Sequence, residues 1–399
     1  MKKIVVRFKE GEEPKNMGKF APMDDIEVKF KPLYSIEPDV TKFIARKGLK
    51  AGDFKSHLAL FNEELLPQKS EEEKKLFRTY TVEIENEEEA KQAISKLQSD
   101  PTIEYVQESK LNKLYYLQND PLMKDLWGIT KINCPKAWDS AQGENIVIAV
   151  LDTGVDYLHT DLSGNMWKDS AGNFGRDFSD NNYDPMDYHG HGTHVAGTIA
   201  AVGNNSIGVV GVAPKAKIMA VKIFPNATDD VCAEAIKYAV DNGAHVINNS
   251  WGPTGRNPVN KTLEDAIDYA LSKGVVVVFA AGNEHDEVKY YSPANHMGVI
   301  CVGASDIKDN RCGFSNYGPE VTVAAPGEEI LSTQINGGYT KKRGTSMAAP
   351  HVSGLAALVI SGRPTANANQ IKGLIETNSD KIYPDKPIGL GRINAANSL

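Results

Sequence analysis

Cysteine is scarce in this chain. Four residues of 399 (Cys134, Cys232, Cys301 and Cys312) are too few and too scattered for a disulfide scaffold or a zinc site. Small buried hydrophobic side chains are the expected role for them, and only Cys301 and Cys312 lie close enough in sequence for a local bridge. Long apolar runs are missing too. No stretch of about eighteen apolar residues exists, so no helix is expected to cross a membrane. Nor is there an excess of positive charge: 44 Lys and Arg against 52 Asp and Glu leave a net charge of −8. That balance argues against nucleic acid or an anionic membrane surface as the main partner. The opening MKKIVVRFKEGEE has three consecutive apolar residues before charge returns, and does not read as a signal peptide.

What is present is an ordinary globular composition, 41% hydrophobic, in a length that suggests about two or three domains. The first hundred or so residues are rich in Lys and Glu and poor in Gly. KKIVVRFK reads as a strand, TKFIARKGL as a short amphipathic helix and FRTYTVEI as an alternating strand. NEEEAKQAISKLQSD puts acidic residues in a first helical turn and Ala90, Ile94 and Leu97 on one face; TIEYVQESKL closes as a strand. These two α/β units predict a small α+β domain of ferredoxin-like type over residues 1–115, with an irregular segment at about 11–69.

Over residues 116–399 the pattern becomes strand–helix alternation. Apolar strands are predicted at 145–151, 217–223, 245–249 and 275–280, with helices at 230–241 and 262–273 among the segments between them. Continuous Val and Ile runs flanked by helices predict an α/β domain: a parallel sheet with helices on both faces.

Three short segments carry chemistry: NIVIAVLDTGVD, then GHGTHVAGT, then GTSMAAPHVSG. They supply Asp152, His191 and Ser346. A serine hydroxyl is a poor nucleophile at neutral pH; it needs an imidazole to take its proton and a carboxylate to hold that imidazole. Alone, an aspartate in a strand-to-loop turn or a serine opening an Ala-rich helix would mean little. Together and in this order, the segments resemble the subtilase family of serine peptidases, in its bacterial subtilisin and thermitase branch, over about residues 115–399.

That resemblance implies specific roles. The triad would be Asp152, His191 and Ser346, His191 being the histidine directly before Gly-Thr-His. His194 then falls to a structural role and His189 to the rim of the site; a zinc site built on the three histidines lacks a carboxylate or cysteine at ligand spacing. Asn283 in AAGNE matches the residue whose amide stabilises the oxyanion, with the backbone N–H of Ser346. Ser250, Trp251 and Gly252 in NSWG match the strand that pairs with the substrate backbone, although Trp251 reads equally well as a half-buried core aromatic. The absence of acidic residues after SWGP implies a broad apolar or aromatic preference, with Tyr290 or Tyr291 narrowing the pocket. AVGNNSIGV resembles a calcium loop: Asp161, Asn205 and the carbonyls of Val202, Ile207 and Val209, with Asp120, are the implied Ca²⁺ ligands.

Residues 1–115 resemble the inhibitory propeptide of secreted subtilases. The implied protein is a zymogen that acts on protein and peptide substrates, inhibited by its own N-terminal segment, monomeric and extracellular, although a cytoplasmic location stays open without a recognisable signal peptide. Its cleavage site would fall between about Leu114 and Gln118. The close GLGRINAANSL resembles the usual end of a subtilase catalytic domain. Two other readings of the same fold are a macrocyclase, which would carry extra insertions around the site, and a dead binding protein, which would have lost Asp152, His191, Asn283 or Ser346.

Overall fold

The computed structural model describes residues 2–10, 30–32, 69–84, 86–109 and 119–399. The chain divides into two compact units, Met1–Tyr116 and Leu117–Leu399. The helix expected in TKFIARKGL lies outside the described residues, as does the stretch from Leu114 to Gln118.

The first unit is an antiparallel sheet in the order β2-β3-β1-β4, from strands β1 (Lys2–Phe8), β2 (Phe30–Pro32), β3 (Thr79–Ile84) and β4 (Ile103–Glu108). Helix α1 (Glu71–Phe77) precedes β3, and α2 (Glu87–Gln98) links β3 to β4. The strand expected to begin at Phe77 starts at Thr79 instead. Ser70 closes a capping box with Glu73, which draws residues 71–77 into a helix first. Along α2 the apolar spacing sends Ala90, Ala93 and Leu97 into a core with Ile4, Val6, Phe8 and Val82. This unit therefore has a core of its own.

The second unit is built on seven parallel strands in the order β11-β10-β9-β8-β5-β7-β6. They are β5 (Val147–Asp152), β6 (Gly175–Asp177), β7 (Lys217–Lys222), β8 (Val246–Asn249), β9 (Val276–Ala280), β10 (Ile300–Ser305) and β11 (Val323–Pro326). Side chains alternate across a strand, so each strand feeds two cores. Ile148 and Val150 of β5 pack on one face with α3 (His191–Ala200) and α6 (Thr345–Gly362). Ala149 and Leu151 pack on the other with α4 (Asp229–Asp241) and α5 (Lys261–Ser272). Helices therefore cover both faces, and α6 is buried almost throughout its eighteen residues. A separate hairpin, β12 (Ile330–Gln334) with β13 (Gly338–Lys342), lies against α3.

The four cysteines are buried free thiols, with no bridge between Cys301 and Cys312. No described helix is long and apolar enough to cross a membrane.

Phe279 is fully buried in the second core and meets Trp251 edge-on at 5.2 Å between ring centres. Phe279→Ala should destabilise the second unit by about 3–5 kcal/mol. Denaturant unfolding in a Ser346→Ala background, where self-digestion cannot contribute, measures this; a loss under about 1 kcal/mol would contradict the packing described.

Candidate active site

Ligand sites of open parallel sheets form beyond the carboxyl ends of the strands, where the order of connection reverses. Here that point is β5, with β7 on one side and β8 on the other. Asp152 ends β5, Ser250–Gly252 follow β8, and Asn283 follows β9. Three of the sequence segments thus come to one edge.

His191 is the first residue of α3. Gly192 lets that helix approach β5: a Cβ there would lie 2.1 Å from the Gly154 carbonyl oxygen and 3.0 Å from Asp152 Cβ. His191 Nδ1 sits 2.7 Å from Asp152 Oδ1, which also accepts the Thr153 N–H at 2.8 Å. A carboxylate accepts, so Nδ1 carries the proton and Nε2 keeps its lone pair. Asp152 is 1% exposed, and its Oδ2 has no hydrogen-bond partner among the described residues. Burial pushes the His191 imidazole down, but the charge and hydrogen bond of Asp152 outweigh it, and the group titrates above its ordinary value.

One residue here escapes sequence reasoning. Asp187, buried, accepts five hydrogen bonds: Oδ1 takes Thr153 Oγ1 and the N–H groups of His189 and Gly190, and Oδ2 takes the N–H and hydroxyl of Thr193. It ties the loop after Asp152 to the start of the His191 helix. The available signal is a carboxylate four residues before that histidine, near a helix N-terminus. His194 is buried and structural: its Nε2 donates to the carbonyls of Ile330 and Thr340, and burial lowers it to about 3. His189 is exposed at the rim.

Ser346 is the second residue of α6 and shares a groove of about 540 Å³ with His191, Asn283 and Met347. Its Oγ donates to the Ser250 carbonyl at 3.0 Å, and the Ser250 hydroxyl donates back to the Ser346 carbonyl at 3.0 Å. No hydrogen bond joins Ser346 to His191 in this arrangement. Asn283 Oδ1 accepts the N–H and the hydroxyl of Thr345 at 2.9 and 3.0 Å. An N–H can only donate, so the amide orientation is fixed and Nδ2 is left unspent. Among the described residues the Ser346 N–H is also without an acceptor. Both face one space: a Cβ on Gly344, whose φ is 144°, would sit 3.7 Å from each.

Beside them is a smaller pocket of about 100 Å³, lined by residues that include Trp251, Gly252, Ala280, Ala281, Glu284, Tyr291 and Ala294. Tyr291 lines it and Tyr290 does not; Tyr290 instead lies under Arg256, 4.1 Å from ring centre to guanidinium carbon. Trp251 serves both of its expected roles in space, resting on Phe279 while facing the pocket.

The implied calcium residues also converge. Asp161 is fully buried; its Oδ1 accepts from Asn205 Nδ2 at 2.7 Å, and its Oδ2 from the Val209 N–H at 2.9 Å and the Tyr339 hydroxyl at 3.2 Å. Asp120, also buried, accepts the N–H groups of Asn204 and Asn205. Among the described residues neither carboxylate has an ion-pair partner, and the carbonyls of Val202, Ile207 and Val209 accept no hydrogen bond. Among the described residues no three His, Cys, Asp or Glu side chains cluster as metal ligands. An all-oxygen set of two carboxylates, an amide and open carbonyls nevertheless has the chemistry that a hard cation takes.

Comparisons with known proteins agree with this architecture. Residues 143–391 match the Subtilase family. Thermitase from Thermoactinomyces vulgaris is 44% identical over 286 residues, 70% of this chain and 98% of its own length. A thermophilic serine proteinase from a Bacillus species is 43% identical over 313 residues, 77% of this chain and 75% of that protein. Among solved structures, a protease from Pseudoalteromonas arctica superposes with a TM-score of 0.66 at 34% identity, covering 71% of this chain and 98% of that one. The chain belongs to the subtilase family, in its bacterial subtilisin and thermitase branch, and is a subtilisin-like serine peptidase.

Proposed function

We propose that the chain is the zymogen of an endopeptidase that cleaves peptide bonds through an acyl-enzyme on Ser346. The observation that carries this is the His191–Asp152 pair at 2.7 Å, in one groove with Ser346 and with two N–H donors, of Asn283 and Ser346, that have no acceptor among the described residues. A turn about χ1 takes the Ser346 hydroxyl from Ser250 to His191. Nε2 accepts its proton as Oγ attacks the carbonyl carbon, and the N–H groups of Asn283 and Ser346 hold the oxyanion. His191 then returns the proton to the leaving amine as the C–N bond breaks; water repeats the cycle and frees the acid. Losing one oxyanion donor costs about 3–4 kcal/mol. Substrate backbone would pair along Ser250–Gly252, and the ring and methyl walls of the smaller pocket favour an apolar or aromatic side chain.

Since Asp152 raises His191, and only neutral imidazole can act as base, activity should fall as pH drops through a midpoint above 6.5. Asp152→Asn removes the charge and the acceptor together. It should lower kcat by about 10⁴-fold and move the acid limb down. Profiles of kcat/KM against pH check both; an unmoved limb in the variant would separate Asp152 from the base.

Residues 1–115 are proposed as a propeptide and inhibitor, because they form a separate unit with its own core. A tethered inhibitor also suits a monomeric enzyme that acts outside the cell. The tether gives a high local concentration, so the first cut, between about Leu114 and Gln118, should be intramolecular and independent of dilution. Ser346→Ala should stay whole and lose about a millionfold in kcat. Intact-mass spectra of the two proteins decide it: a wild-type chain that stays uncut while digesting casein would make the first unit permanent.

Calcium is proposed as a structural ion held by Asp120, Asp161, Asn205 and the carbonyls of Val202, Ile207 and Val209. Bound there, it would neutralise two buried carboxylates. A ligand at a hundred times its Kd adds about 2.7 kcal/mol to the folded state. EGTA should lower the melting temperature of Ser346→Ala protein; an unchanged melt with no bound calcium by metal analysis would remove the site.

A further inference from the structure

The groove that holds Ser346 has a charge opposite to that of the chain. The protein carries a net −8. Yet the walls beside His191, Asn283, Ser346 and Met347 carry Lys341, Lys342 and Arg343 against the single carboxylate of Glu329. Two of these cations are partly matched by distant carboxylates: Lys341 lies 3.9 Å from Glu329, and Arg343 lies 3.9 Å from Glu328. Among the described residues Lys342 has no ion-pair or hydrogen-bond partner for its ammonium. It is half-buried at the end of β13, opposite Ile330 in the hairpin, and close enough to His191 for its charge to oppose protonation of that imidazole.

Which half of a substrate would meet this wall follows from the chemistry. The imidazole gives its proton to the leaving amine, so the leaving half lies on the His191 side of the nucleophile. His191 lines the cationic groove and not the smaller pocket with Trp251 and Tyr291. The acyl half therefore has the apolar pocket, and the leaving half has Lys341, Lys342 and Arg343. We infer that this peptidase selects for acidic residues just after the scissile bond, and that the unpaired ammonium of Lys342 is the main determinant. The inference rests on the peptidase reading of the site. An ammonium with no partner of its own gains from a substrate carboxylate without first giving up a contact, whereas Lys341 and Arg343 must exchange one. A lysine in the leaving half meets repulsion from the same group.

The test uses the wild-type protein, expressed as the full chain, and three peptides with one common acyl half ending in phenylalanine. Their leaving halves begin Asp-Glu, Ala-Ala or Lys-Lys. Competition assays followed by mass spectrometry give relative kcat/KM. The expected order is Asp-Glu, then Ala-Ala, then Lys-Lys, with steps of about threefold to tenfold in about 0.01 M salt. In about 1 M salt, where charges are screened within about 3 Å, the ratios should collapse. Lys342→Gln should bring the Asp-Glu to Lys-Lys ratio most of the way to one. Lys308→Gln, an equal charge change on an exposed loop outside the groove, should leave that ratio as it is. Equal rates for the three peptides overturn the inference and leave the peptidase reading intact. So does a preference that survives Lys342→Gln or high salt. No cleavage of any peptide overturns both.

Discussion

The contact on which the site depends is the 2.7 Å hydrogen bond between Asp152 and His191. A carboxylate removed from water loses several kcal/mol of solvation, which only charge or hydrogen bonds can offset. Among the described residues the Asp152 carboxylate receives two hydrogen bonds, both on Oδ1, and the buried Oδ2 receives none. Its demand for positive charge is therefore only partly met while the imidazole is neutral. In the proposed reaction that demand is met when His191 takes the serine proton, so the burial of Asp152 favours the charged intermediate over the resting state. This works only if the helix start and the strand end are held together. Gly192 gives the space for that approach, and Asp187, with its five hydrogen bonds, fixes the two loops to each other.

The local parts of this arrangement were legible in the sequence, because each depends on a few adjacent residues. The expected strand at 145–151 is β5, and those at 217–223, 245–249 and 275–280 are β7, β8 and β9, within one or two residues at each end. Their Val and Ile runs are long enough to declare themselves. The strands at or near the two edges of the sheet were not named. β6 is three residues containing a glycine at φ 150°, and β11 is VAAP, which carries a proline where an edge tolerates one. Asp187 was missed because capping rules look at the residue next to the helix, and here that residue is Gly190. The cationic wall was missed for another reason. Lys341, Lys342 and Arg343 read as an ordinary charged run, and only the fold places them beside His191. The donor that Asn283 presents depends in the same way on Thr345, whose N–H and hydroxyl occupy the other end of the amide.

The hairpin β12–β13 connects these features. His194, one turn along the helix from His191, donates to the carbonyls of Ile330 and Thr340, one on each strand. On the far side His159 Nε2 lies 3.0 Å from the Gly338 carbonyl, and Tyr339 donates to Asp161, the buried carboxylate of the proposed calcium loop. From Tyr339 the chain runs through Lys341, Lys342 and Arg343 to Gly344 and the nucleophile in seven residues. Tyr339 thus joins Asp161 to the strand that leads into the cationic wall and the nucleophile, while Ser346 is also held by its reciprocal bonds to Ser250. The nucleophile therefore has an anchor, the strand end at Ser250, that does not run through the hairpin.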